Sequence, residues 1–233
     1  KQALQNSNYM YLLLGLLLLS ITLGMRAAFN NYMNLYYWEL ASDQIRWFIL
    51  GSIGGYISGF LLTTKIHKRF DKRASIVIAT LGYGIFEALP VCLRMLGVFP
   101  ENGSDELFPS ILVFHAIGSA SLSVLNISVM SALADIADEN AGKFGVRQEG
   151  ILYAARAFFS KADRAIGTLI AGIVLDLISF PAKAIPGQVD ANVIMWLGIM
   201  DSPATVIPAL FAALLYAGYS INHDKHEKFG LAK

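Results

Sequence analysis

The sequence predicts an all-α integral membrane protein of six transmembrane helices, on three observations: its composition, six apolar windows of bilayer length, and basic residues confined to particular loops. Of 233 residues, 55% are hydrophobic and 15% charged, whereas soluble domains average about 25% charged. A hydrocarbon core about 30 Å thick takes roughly 20 mainly apolar residues per helix. Residues 9–32, 45–64, 74–96, 107–136, 151–180 and 204–221 meet that requirement.

The first span follows a polar opening, KQALQNSN, that lacks the basic-then-apolar-then-small pattern of a cleavable leader. With Lys1 in place of methionine, the chain is expected to begin inside a longer gene product. The span leaves through Arg26, Asn30, Asn31, Tyr36 and Tyr37, a run suited either to the outer part of a cavity or to the headgroup level. The second span carries Gly51, Gly55 and Gly59 at four-residue spacing, which strips one face for close approach of another helix.

In the third span, Glu87 is a candidate countercharge, and Cys92, the single cysteine, excludes a disulfide framework within the chain. His115 and Asn126 in the fourth read as satisfied helix-contact residues. Between the fifth and sixth spans, residues 193–200 are apolar, too short to cross, and flanked by Asp190 and Asp201. They are expected to lie along the outer interface with Trp196 as anchor.

Orientation follows from the loops. The stretch KIHKRFDKR holds Lys65, Lys68, Arg69, Lys72 and Arg73, whereas FPENGSDEL is acidic without Lys or Arg. The positive-inside rule makes the first cytoplasmic and the second external. Alternation then puts eleven of the 18 Lys and Arg inside, three outside, and both ends of the chain in the cytoplasm.

The fifth span is the most informative. Lys161, Asp163 and Arg164 lie within it, where a charge costs on the order of 3 kcal/mol or more unless partnered. At about 100° per residue, Arg156, Ser160, Asp163 and Gly167 share one stripe, with Lys161 and Thr168 on another side. Lys161 and Asp163, two apart, do not face each other. Lys161 therefore requires a partner from another helix, neutralisation by desolvation, or a bound solute or water. Three charges in one span favour a hydrated pathway over static glue. A net charge of +1 gives no nucleic-acid surface, and no metal spacing, Ser/His/Asp set or phosphate loop points to an enzyme.

From Ser131 the chain reads SALADIADENAGKFGVRQEGILYAARAFFSK. The positions Asp135, Asp138, Arg147, Glu149, Ile151, Tyr153 and Lys161 resemble, without a gap, the segment joining spans ten and eleven in the glycoside–pentoside–hexuronide:cation symporters, a melibiose-permease-like branch of the major facilitator superfamily. The NLYYWEL exit of the first span, the basic loop and the DLISFP helix end fall where that family has them.

The resemblance implies that the chain is the C-terminal six-helix half of a twelve-span transporter, whose partner is an N-terminal half absent from this chain. In such transporters two halves rock about a central cavity. It implies cation-coupled symport of a sugar, glycoside or related small polar solute across a bacterial inner membrane. Lys161 and Tyr153, with Arg26, would serve the substrate cavity and coupling; Asp135, Asp138, Arg147 and Glu149 would form a cytoplasmic gate. Asp163 and Arg164 replace small residues of the melibiose-permease type and imply a different substrate. No cofactor is implied beyond the coupling cation, sodium or proton, held mainly in the other half. Two other readings are a lipid or lysolipid carrier of the same superfamily, and a non-transporting six-helix scaffold or receptor.

Overall fold

The computed structural model describes residues 5–145 and 149–220, apart from the side chains at positions 144, 160, 163 and 164. Arg147 and the side chains of Asp163 and Arg164 thus lie outside the described residues. The described chain is helical: α1 (Ser7–Tyr32) with a π-helical turn (Met33–Tyr37), α2 (Ser42–Ile45), α3 (Phe48–Arg69), α4 (Lys72–Met95), α5 (Leu107–Phe144), α6 (Glu149–Leu177), α7 (Ala191–Asp201) and α8 (Pro203–Tyr216).

Local chemistry sets the ends. The Asn6 side chain accepts from the N–H groups of Asn8 and Tyr9 at 2.9 and 3.3 Å, satisfying first-turn donors of α1. Asp71 does the same for Ala74 at 2.7 Å, starting α4 two residues after α3 ends. The basic loop thereby shrinks to Phe70–Asp71, with His67, Lys68 and Arg69 in the last turn of α3, where the helix dipole favours cations. Gly145 ends α5 at φ +69°, a left-handed conformation that glycine adopts without strain.

Packing runs α6–α1–α8–α4–α5–α3, each helix lying chiefly against its neighbours in that order. Gly51, Gly55 and Gly59 face α5, where Leu112, the Ala116 and Ala120 carbonyls, Ser119 and Ser123 leave no room for a Cβ. The close approach read from their spacing is therefore the α3–α5 contact. Gly167 of α6 meets the backbone of Gly24 of α1 in the same way.

Residues 193–200, expected along the interface, instead belong to α7, with Leu197 and Gly198 buried. The helix breaks at Ser202 (φ −110°, ψ −78°) and restarts with Pro203 in the first turn of α8, where its missing N–H is not needed. Together α7 and α8 form one apolar stretch, Ala191–Tyr216, long enough to cross a membrane. The sixth span therefore begins earlier than residue 204; Asp201 and Pro203 look like loop chemistry but lie within it. Among the described residues, five elements qualify as spans by length and apolar composition. The sixth, α6, has 29 residues, and its charges restrict its apolar part to Ala165–Leu177.

The core is split along the helix axes. One cluster gathers Leu12, Leu19, Ile76, Leu133, Ile136 and Tyr216; the other gathers Phe29, Trp38, Val91, Phe99, Ile111 and Leu197. Glu87, His115 and Asp201 fall between the two clusters on their respective helices, and Arg26, next to Met25 of the second cluster, meets them there, so a polar layer separates two apolar ones.

Candidate functional site

Glu87 lies eight residues before the end of α4, and His115 eight after the start of α5. At 1.5 Å per residue both sit about 12 Å inside their helices, near the middle of a core about 30 Å thick. At this depth a charge persists only with partners.

Arg26 supplies them. Its Nη2 donates to Glu87 Oε2 at 3.1 Å and to the Glu87 carbonyl at 3.0 Å, while Nη1 donates to the Asp201 carbonyl at 3.1 Å and lies 3.6 Å from Asp201 Oδ2. The α7–α8 break makes this geometry possible. Asp201 ends α7, where carbonyls lack partners within the helix and the dipole favours a cation. Its carbonyl also accepts from Thr205 Oγ1 at 2.6 Å, and its carboxylate from Ser202 Oγ at 2.9 Å. The second Glu87 oxygen, Oε1, lies 3.1 Å from His115 Nδ1, and His115 Nε2 lies 2.8 Å from Ser52 Oγ. One hydrogen-bonded chain thus joins α7, α1, α4, α5 and α3.

This chain borders a cavity of about 840 Å³. Arg26, Asn30 and Asn34, at helical i, i+4 spacing, line one wall; Ser52 and Tyr56 of α3 and Tyr83 of α4 line others. Trp38, Phe48, Phe86 and Phe114 add aromatic faces. Asn126 at one end accepts from Arg156 of α6 at 2.9 Å and donates to the Tyr56 hydroxyl at 3.1 Å. Hydrogen-bonding groups alternating with aromatic surfaces suit a polar solute that also presents apolar faces.

The sequence-predicted residues divide among three places. Arg26 stands in the cavity wall. Tyr153 packs partly buried against the first core cluster. Lys161 is exposed on α6, and among the described residues α6 contributes none to the cavity lining. The tyrosine run after Arg26 is structural as well: Tyr37 is buried, covers Gly198 and stacks edge-on to Trp38, while Tyr36 meets Phe180 beyond α6.

At the end expected to be cytoplasmic, Asp135 is 5% exposed and takes Lys72 Nζ on both oxygens at 2.7 Å. The Tyr219 hydroxyl lies 3.4 Å from the same carboxylate. Burial, and then the negative charge of Asp135, hold that phenol above the ordinary tyrosine range, so it stays a donor. Four residues on, Glu139 accepts from Asn6, Asn8 and Lys143 at 2.8, 3.2 and 2.7 Å, tying the start of α1 to the end of α5. Asp138 is half-buried and Glu149 exposed, and both make further polar interactions.

The central role of Asp201, and the partnership of Glu87 and His115, were not legible from spacing. A signal for Asp201 existed: it interrupts an apolar stretch that, counted across Ser202–Pro203, has the length of a span. Among the described residues no cluster of His, Cys, Asp and Glu is arranged to hold a metal ion.

No curated protein matches the chain. A family model described as MFS/sugar transport protein matches residues 1–223, which takes in every described helix from α1 to α8 and the whole polar cavity. By that match, over helices of membrane-crossing length, the chain is an integral membrane protein belonging to the MFS/sugar transport family of the major facilitator superfamily.

Proposed function

We propose that this chain forms one six-helix half of a secondary transporter that carries a sugar, glycoside or similar small polar solute with a cation by alternating access. The observation that carries the reading is the cavity of about 840 Å³, placed at mid-helix depth and walled by amide, hydroxyl and aromatic groups around Arg26. A polyhydroxylated ring offers matching donors and acceptors on its edges and C–H faces for the aromatics. A lipid tail would leave Asn30, Asn34, Ser52 and Asn126 facing hydrocarbon, a poor use of polar groups.

In this reading the second wall of the pathway comes from an N-terminal six-helix half, and the two rock about the cavity. Lys161, Asp163 and Arg164 on α6 serve substrate binding and coupling in that pathway, while Asp135, Asp138, Arg147 and Glu149 serve its cytoplasmic closure. The chain resides in a bacterial inner membrane with both its ends cytoplasmic.

The test is uptake of a panel of labelled sugars and glycosides by the full-length transporter in proteoliposomes, with imposed sodium or proton gradients. Gradient-dependent accumulation of at least one solute is expected. If none is accumulated and lysolipids are moved instead, the sugar reading is overturned.

A further inference from the structure

Arg26, Glu87, His115 and Asp201 meet in one buried layer with one basic and two acidic groups beside an imidazole. Arg26 contributes one positive charge; with Glu87 and Asp201 both ionised and a neutral imidazole at His115, the centre would carry one excess negative charge. Such an excess in a low-dielectric layer is relieved by one bound proton, on a carboxylate or on the imidazole.

The hydrogen bonds around His115 show where that charge enters. Ionised Glu87 only accepts, so His115 Nδ1, 3.1 Å from Oε1, carries a hydrogen. In the neutral imidazole Nε2 is then bare and accepts from the Ser52 hydroxyl, 2.8 Å away. Ser52 is both donor and acceptor. When a proton from cavity water bonds to Nε2, the Ser52 hydroxyl rotates, its oxygen accepts from Nε2–H, and its own hydrogen turns to the cavity. Both nitrogens are satisfied in either state, and Ser52, Glu87 and His115 all border the cavity.

We infer that His115, held between Glu87 and Ser52, is a proton-binding site of this half, and that the proton it takes is coupled to transport in addition to any cation held in the other half. The remaining titratable and charged groups around it are Tyr56 on α3, Tyr83 on α4, Arg26 on α1, Asp201 on α7 and, through Asn126, Arg156 on α6. Arg26 opposes a charged imidazole; Glu87 and Asp201 favour it, and Glu87 is in contact. Protonation also changes the neighbours. An imidazolium draws Glu87 toward itself and weakens its hold on Arg26, so that the Nη2–H given to the carboxylate becomes available to a solute in the cavity. A proton bound first therefore favours solute binding.

The site is tested in the full-length transporter in lipid nanodiscs by NMR titration of ring-labelled histidines, with the resonance lost in His115→Gln giving the assignment. His115 is expected to take up a proton reversibly as the pH falls, and Glu87→Gln or Asp201→Asn to weaken that uptake. An imidazole that stays neutral to pH 5, or whose midpoint ignores both variants, overturns the proposal. So does an alkali cation held at the carboxylates in the proton's place, because it leaves His115 neutral. This titration needs no solute and is independent of the sugar reading.

The coupling role rests on the transport reading. It predicts that wild-type uptake rises with acidity on the entry side and that residual uptake by His115→Gln loses this pH profile. An unchanged profile overturns the coupling role even where the titration succeeds, and absence of any sugar flux counts against the transport reading instead.

Discussion

Arg26 of α1 and Glu87 of α4 face each other at 3.1 Å with side chains 14% and 12% exposed, in a layer bounded on both sides by apolar core. Removing one member of a buried pair leaves the other without a countercharge, at a cost of about 3–5 kcal/mol. Asp201 remains beside Arg26, so Glu87→Ala is expected to lose about 3 kcal/mol, the low end of that range. The informative variant is Glu87→Ala with Asp201→Ala, which strands the guanidinium. Its loss should exceed the sum of the single losses, and adding Arg26→Met should restore much of it. Thermal unfolding of the purified full-length protein reads the two single variants, the double and the triple. Additive losses would refute the shared role of Arg26.

These pairings also mark the limit of what the sequence discloses. Span positions are legible because hydropathy is a local, composition-level property, and the glycines of α3 are legible because four-residue spacing maps directly onto one helix face. Which helix lies against which is not local. Arg26 and Glu87 are 61 residues apart and Arg26 and Asp201 175, and nothing in the period of either helix selects the partner. Asp201 has a further disguise. Ser202 and Pro203 after it are loop residues by composition, yet they break one spanning element and free the carbonyl that Arg26 takes. The fifth span illustrates the converse, since its charges are plain in the sequence while its place at the edge of the bundle, against α1, is a property of the fold.

α1 and α6 approach backbone to backbone where Gly24 meets Gly167. A Cβ at Gly167 would collide with the backbone of Gly24, and backbone cannot rotate away as a side chain does. Gly167→Ala should therefore lower the melting temperature and the yield of folded protein. Gly172→Ala, five residues on in the same helix with open space around its Cα, should be neutral or slightly stabilising through helix propensity. Equal behaviour of the two variants would mean that α6 does not pack on α1 through Gly167.

Asp135 and Lys72 bring together the start of α4 and the end of α5, and the lysine is 31% exposed while the carboxylate is 5% exposed. Solvent screening reduces what the pair contributes, so Lys72→Gln is expected to destabilise by about 1 kcal/mol. Asp135→Asn added to Lys72→Gln should recover part of that loss. If Asp135 serves mainly in closing the cytoplasmic side, the same Lys72→Gln variant will alter transport rate with an unchanged melting temperature, and the two measurements separate these outcomes.

Lys161 stands near the middle of α6, twelve residues after Glu149 and sixteen before Leu177, and its side chain is exposed. The packed side of α6 is taken up by α1, so an exposed lysine at that depth faces either lipid, which penalises it, or a hydrated pathway. Because it fills no core space, Lys161→Ala is expected to abolish solute accumulation while leaving expression and thermal stability close to wild type. Tyr153, eight residues earlier and packed against the first core cluster, gives the contrast: Tyr153→Ala should lower stability whatever it does to transport. Full accumulation by Lys161→Ala would remove Lys161 from the transport pathway and leave Arg26 as the basic residue that the cavity itself presents.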